Sequence, residues 1–215
     1  MDNAVLFSAA LKRKIGDAIL LKLTRNDICN GLFKLGVREG MDLEVHSSLS
    51  SLGYVEGGAL SVISALKEAV GQQGSIFMPA LRLSKDLPLN AFDRANGLLR
   101  KIKVLSDKEP HSAMGIVADT FRLMPDTKVG TGTFAAAAWG KHAQKVNSMF
   151  QYLIEHNGKA VMIGVDIYSL TAMHQVENYL PAQITRIFKS PELDLIYDPN
   201  KWFVEDGEAP PESVV

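Results

Sequence analysis

The stretch KAVMIGVDIYSLTAMHQVENYLP, residues 159–181, decides how this chain is read. Residues 160–165 form a short apolar run containing Gly164, the pattern of a strand covered on both faces. Thr171 stands where a helix N-cap is wanted, and Pro181 stops the helix it would start. On that reading His174 is the third helical residue, and Glu177 follows one turn later on the same face. A histidine and a carboxylate at i, i+3, beyond the carboxyl end of a buried strand, sit where open α/β sheets bind their ligands. Spacing alone supports two readings. The pair is catalytic, or it belongs to a capped helix whose His and Glu only hydrogen-bond each other. A metal centre lacks further ligands at a recognisable spacing.

Working outward, a second strand–loop–helix unit precedes the first. Thr24 opens a helix with Asp27 three residues on, a weak capping box, and Gly36 closes it. Cys29 lies beside the apolar stripe of that helix and reads as a small core residue. Residues 42–46 alternate polar and apolar, as a strand does. SSLSSLGYVEGG, residues 47–58, is a loop rich in hydroxyls and approachable backbone, and it leads into a helix over 59–70. Such a loop before a helix N-terminus suits a phosphate. It has no GK[ST] and serves equally as a tight connection. Residues 74–79 read as the next core strand, so strand, helix and strand imply a right-handed βαβ unit and a largely parallel sheet.

Residues 80–109 read as a long loop carrying Lys85, Arg94, Arg100, Lys101, Lys103 and Lys108. It is either a solvated basic face, the default, or a clamp for an anion. Ser112 reads as the N-cap of a helix over 116–123. Gly130 to Ala135 spells G-x-G-x-x-A, but no strand precedes it, and no βαβ unit with a ribose-binding acid follows. A dinucleotide site is therefore rejected. Residues 141–157 read as helix, and 184–188 and 193–197 as strands of an edge hairpin.

Bulk properties bound the answer. The 215 residues make one domain, or one with extensions, and 47% hydrophobic with 22% charged residues is ordinary for a globular protein. The expected organisation is a helical extension over 1–23, a main domain over 24–204 and an acidic, disordered tail over 205–215. Net charge is −1, which gives no ground for a nucleic-acid or membrane partner. The two halves carry about +4 and −5, either by chance or because an anionic ligand binds on one side and a cationic one on the other. One cysteine allows no internal disulfide and fits a reducing compartment. No apolar run approaches the ~20 residues of a membrane span. The N-terminal basic residues follow the apolar ones, the wrong order for a signal peptide. A cytoplasmic location is expected.

Three segments together resemble a known family. LGVREGMDLEVHSSLSSLGYVEGGALSVISALKEAVGQQGSIFMPA, PHSAMGIVADTFRLMP and GVDIYSLTAMHQVEN are similar, in order, to the motifs of the aminoglycoside 3-N-acetyltransferases, antibiotic-resistance enzymes. The resemblance implies an α/β fold, a three-layer α/β/α sandwich around a mixed, mostly parallel sheet. It implies transfer of acetyl from the cosubstrate acetyl-CoA to an amine of an aminoglycoside-like acceptor, with no metal. It implies His174 as general base, oriented by Glu177, and a CoA channel lined by His46, Ser47, Ser48, Leu49, Ser50, Ser112 and Thr171. Two features depart from the family pattern. Thr131-Gly132 stand where most members carry His-Pro, with Ala135 near the position of a following serine, and the chain is shorter. The alternatives are therefore a catalytically weak or inactive CoA-binding paralogue, or an acyltransferase for a non-antibiotic amine. The resemblance leaves the oligomeric state open.

Overall fold

β2 (Asp42–Ser47) lies at the centre of a six-stranded sheet in the computed structural model. Its parallel neighbours are β3 (Ser75–Pro79) on one side and β8 (Lys159–Ile163) on the other. The short β1 (Val5–Leu6) extends the parallel side beyond β8. On the far side β7 (Ala136–Gly140) runs antiparallel to β3, and β6 (Lys128–Val129) antiparallel to β7. The sheet is thus mixed, with its parallel ladders together at the centre. The structure describes residues 5–6, 22–106, 108–109, 112–173, 175 and 192–206.

The apolar layer on one face follows from the helical spacing of the sequence. α1 (Arg25–Lys34) starts with a full capping box: the Asp27 N–H donates to Thr24 Oγ1, and Asp27 Oδ2 accepts from the Thr24 N–H. It buries Cys29 and Leu32. α2 (Gly58–Val70) buries Val62, Ile63, Leu66 and Val70, and α4 (Gly115–Arg122) adds Val117 and Phe121. These pack on Leu43 and Val45 of β2 and Ile76 and Met78 of β3. Each such buried aliphatic side chain contributes about 1.5–3 kcal/mol of transfer free energy. The opposite layer is thinner. There a 3-10 helix (Ala143–Ser148) and α5 (Met149–Glu155) cover Phe77, Ala136 and Ala138 with Val146, Met149, Tyr152 and Leu153. The result is the α/β/α sandwich around a mixed sheet.

Several expectations are corrected. The strand expected over 42–46 is present, and residues 43–46 are all buried, on the polar side of the alternation as well as the apolar one. Residues 80–109 are not a loop. They hold β4 (Leu83–Asp86), α3 (Ala91–Ala95) and β5 (Arg100–Val104). Local patterning there is weak because much of β4 and β5 faces outward and carries charged residues. Residues 193–196 form a helical turn, α6, rather than a strand, and the extra strand is β9 (Trp202–Glu205). The cap position of α4 is Met114; Ser112 instead opens a 3-10 turn, Ser112–Met114. Within the expected helical extension, Val5–Leu6 is a strand. Residues 1–4, 7–21 and 184–188, and the expected tail from 207 on, lie outside the described residues.

The chain divides into two units, Met1–Leu81 with Met114–Thr171, and Arg82–Ala113 with Ala172–Val215. The second contains an antiparallel sheet in the order β4-β5-β9. Beside it Leu98, Leu193, Tyr197 and Val204 form a small core. Asp93 is buried next to that core. Its carboxylate accepts from Lys101 Nζ (2.8 Å), the Tyr197 hydroxyl (2.9 Å) and the Asn90 N–H (3.0 Å). Lys101 Nζ also lies 4.5 Å from the Trp202 ring centre.

Candidate functional site

In the first unit β2, β3 and β8 are parallel, so their carboxyl ends meet at one edge of the sheet, the edge where open α/β sheets bind ligands. β2 leaves that edge through Ser47 and Ser48. The Ser48 N–H donates to the carbonyl of Ile163 at the end of β8 (2.9 Å), which ties the two exits together. The chain then makes a 3-10 turn, Leu49–Leu52. Ser51 Oγ donates to Ser48 Oγ (2.9 Å), and Ser50 Oγ lies 3.2 Å from it. Ser47, Ser48 and Leu49 are half-buried, and Ser50 is exposed.

Two glycines let this turn pack. Gly164, at φ +71°, follows β8, and a Cβ there would come within 2.9 Å of the Ser48 carbonyl oxygen and 3.0 Å of Ser51 Cβ. Gly115, at φ +80°, starts α4 beside the Ser47 carbonyl oxygen. α2 begins at Gly58, after Gly57 in the left-handed region, with no side chain capping it. The edge is therefore a surface of hydroxyls and closely packed backbone.

His46 stands apart from the serines. Its ring is buried, with Nε2 2.7 Å from Glu44 Oε1, and the Thr171 N–H reaches the same nitrogen at 3.3 Å. Glu44 is the buried partner of His46 that sequence reasoning missed. The signal was there: Asp42, Glu44 and His46 alternate with apolar residues, so three polar groups share one face.

At the amino end of β2 the same face carries a separate cluster. The Asp42 carboxylate accepts from the Tyr152 hydroxyl (2.7 Å) and lies 3.0 Å from His142 Nδ1. Burial and the Asp42 carboxylate push the Tyr152 phenol up. Tyr152 also stacks on His156, 4.4 Å between ring centres. This cluster lies at the end of β2 opposite the serine turn.

After Gly164 the chain turns with Asp166 accepting from the Ile167 N–H, and a 3-10 turn spans Ile167–Ser169. Thr171 lies inside the next 3-10 turn, residues 171–173, rather than capping a helix. His174 and Glu177 lie outside the described residues. Of Ser112 only the backbone is described. The departing segment 130–135 lies at the carboxyl end of β3, where the Ala80 N–H donates to the Ala135 carbonyl (2.9 Å). Asn147 Oδ1 accepts from the Thr131 N–H (2.8 Å) and holds this segment to the 3-10 helix. Among the described residues no group of three or more His, Cys, Asp or Glu is placed to hold a metal ion, and no helix is long and apolar enough to cross a membrane.

Comparison with known proteins gives the same answer as the motifs. The aminoglycoside 3-N-acetyltransferase family matches residues 45–204. YokD of Bacillus subtilis strain 168, described as an SPbeta prophage-derived aminoglycoside N(3')-acetyltransferase-like protein, is 29% identical over 80% of this chain and 71% of its own. The crystal structure of YokD matches with a TM-score of 0.64, over 75% of this chain and 67% of that one. Aminoglycoside N(3)-acetyltransferase III of Serratia marcescens is 30% identical over 74% of this chain and 65% of its own length. AAC-IIIb, solved as a binary complex with CoASH, shares the fold at 20% identity and a TM-score of 0.59, over 74% of this chain and 66% of that one. This chain thus spans about two thirds of the length of these relatives. It belongs to the aminoglycoside 3-N-acetyltransferase family.

Proposed function

We propose that this protein transfers acetyl from acetyl-CoA to an amine of an aminoglycoside-like acceptor, with His174 as general base and Glu177 as its orienting carboxylate. The observation that carries the reading is the edge at which β2 and β8 end together in a serine turn packed on Gly164. The solved CoASH complex of a protein of this fold supports a CoA-type cosubstrate. Ser47, Ser48, Leu49 and Ser50 line its channel, with Ser112, Thr171 and, from below, His46. The hydroxyls and close backbone of this edge suit the polar groups of CoA, and no metal is required.

The chemistry follows from the acceptor. An aliphatic amine is mostly protonated at neutral pH and must lose a proton before its lone pair attacks a thioester carbonyl. A neutral histidine within hydrogen-bond reach takes that proton. A carboxylate one turn away fixes the tautomer and stabilises the imidazolium as it forms. Backbone N–H groups or a serine hydroxyl meet the oxygen as it gains charge. No acyl-enzyme is needed.

The test is thiol release from acetyl-CoA across a panel of aminoglycosides and polyamines. Wild-type turnover with at least one amine is expected, and His174→Ala should lower kcat by about 10²- to 10⁴-fold. No release with any amine, or an unaffected His174→Ala, overturns the reading. A second reading rests on Thr131-Gly132 and the Asn147 contact that holds them: a CoA-binding protein without turnover. Calorimetric titration with CoA separates the two, because binding without release supports the second alone. Acyl transfer to a non-antibiotic amine is told from the first reading by the polyamine arm of the panel. A cytoplasmic location is part of the proposal, since acetyl-CoA is the donor.

A further inference from the structure

The serine turn after β2 contains a short chain of hydroxyls. Ser51 Oγ donates to Ser48 Oγ (2.9 Å), and Ser48 Oγ lies 3.2 Å from Ser50 Oγ, where either hydroxyl can be the donor. Each hydroxyl carries one proton and two lone pairs. The two contacts use two of the three protons, and the Ser51 proton is one of them. The remaining proton therefore sits on Ser48 or Ser50 and has no acceptor inside the cluster. A chain of this kind polarises its last O–H and strengthens it as a donor.

The turn itself leaves these hydroxyls to meet a ligand. Ser48 stands at the N-cap of the 3-10 turn, yet its side chain caps no backbone N–H. The backbone N–H groups of Ser48 and Ser51 are already used, on the Ile163 carbonyl (2.9 Å) and the Ser48 carbonyl (3.2 Å). Ser51 is fixed from the β8 side as well, because a Cβ on Gly164 would stand 3.0 Å from Ser51 Cβ. Ser48 is half-buried and Ser50 is exposed, so the spare proton lies within reach of a ligand at this edge. Residues 47–58 include no Lys or Arg, so the donor suits a neutral carbonyl oxygen better than a phosphate.

We infer that Ser51 is a positioning residue that directs this hydroxyl chain, and that the chain donates its spare proton in a hydrogen bond to a carbonyl oxygen of acyl-CoA, at the thioester or at an amide of the pantetheine arm. The inference rests on the proposed function for the identity of the ligand.

Calorimetric titration of the full chain with acetyl-CoA, ethyl-CoA and CoA, without an amine, tests it. Ethyl-CoA keeps the shape of acetyl-CoA and lacks the thioester oxygen. Ser48→Ala should weaken acetyl-CoA binding by about 10-fold and Ser51→Ala by about 3-fold, as for loss of a neutral hydrogen bond and of the group that polarises it. Ser51→Thr, which keeps the hydroxyl, should bind as the wild type does. A loss confined to acetyl-CoA assigns the bond to the thioester oxygen, and an equal loss for all three ligands assigns it to an amide of the pantetheine arm. Ser51→Ala with wild-type affinity for all three overturns the inference. So does a Ser51→Thr variant as weak as Ser51→Ala, because the loss is then one of shape and not of the hydroxyl. A wild-type chain that binds none of the three removes the CoA reading and the inference with it. The expected serine pattern together with a fully active His174→Ala means that the hydroxyl chain stands and the assignment of the base falls.

Discussion

The two sheets of this chain are held together in different ways. In the first unit β2 and its parallel neighbours bury Leu43, Val45, Ile76 and Met78 against three helices in a large apolar core. In the second unit the core beside β5 and β9 is four residues, and the buried Asp93 with Lys101 and Tyr197 does much of the holding. The polar contacts of the first unit, Glu44 with His46 and Asp42 with Tyr152, sit beside a large apolar core, whereas Asp93 of the second unit stands next to a small one. Both sheets obey the same rule, that a buried charge must be paired and hydrogen-bonded.

The contrast can be broken by substitution. Phe121→Ala removes a fully buried ring from the first unit's layer and should cost about 3–5 kcal/mol, read as a lower urea midpoint. If it costs less than Asp93→Asn, the contrast is wrong. Asp93→Asn leaves Lys101 largely buried without its counter-charge and should cost about 3 kcal/mol at neutral pH. Its pH dependence sharpens the point. Burial raises the Asp93 pKa, but hydrogen bonds from Lys101, the Asn90 backbone and Tyr197 outweigh it and hold the carboxyl below its ordinary value. A depressed folded pKa means stability that is full above the unfolded value of about 4 and is lost as pH falls through the lower folded one. The gap between wild type and Asp93→Asn should accordingly narrow below about pH 4. The Tyr197 phenol, pushed up to about 12 by burial and by Asp93, stays a donor throughout.

Smaller effects test the first unit's polar pole. Tyr152→Phe removes one donor to Asp42 and should cost about 1–3 kcal/mol, with thiol release from acetyl-CoA unchanged. A loss of activity there would extend the functional face to the amino end of β2. The least perturbing probe is Cys29. Burial and the nearby Glu68 raise its thiol pKa, so a thiol reagent should label it only as the chain unfolds. Fast labelling of the native protein would show that α1 opens independently.

Legibility from sequence followed how local the cause was. The capping box of α1 was readable because Thr24 and Asp27 are three residues apart and interact directly. β2, α2, β3 and β8 were readable because each carries its own period or apolar run. The second unit was not readable, since β5 pairs with β9 about a hundred residues away and local patterning carries no trace of that partner. At the candidate site the serine turn was visible from composition. The burial of His46 was not, because it depends on Glu44, on β8 and on the layer that contains Tyr152.

The sequence by itself determined the parallel core, the serine turn after β2 and the family, because runs, spacings and motifs are properties of the chain read in order. Only the tertiary structure decided that the polar side of β2 is buried and that Glu44, His46 and Thr171 meet around one nitrogen. Residue 171 comes 125 positions after residue 46, and no spacing rule spans that distance. What joins them is the parallel pairing of β2 with β8, which brings two distant strand ends to the same edge.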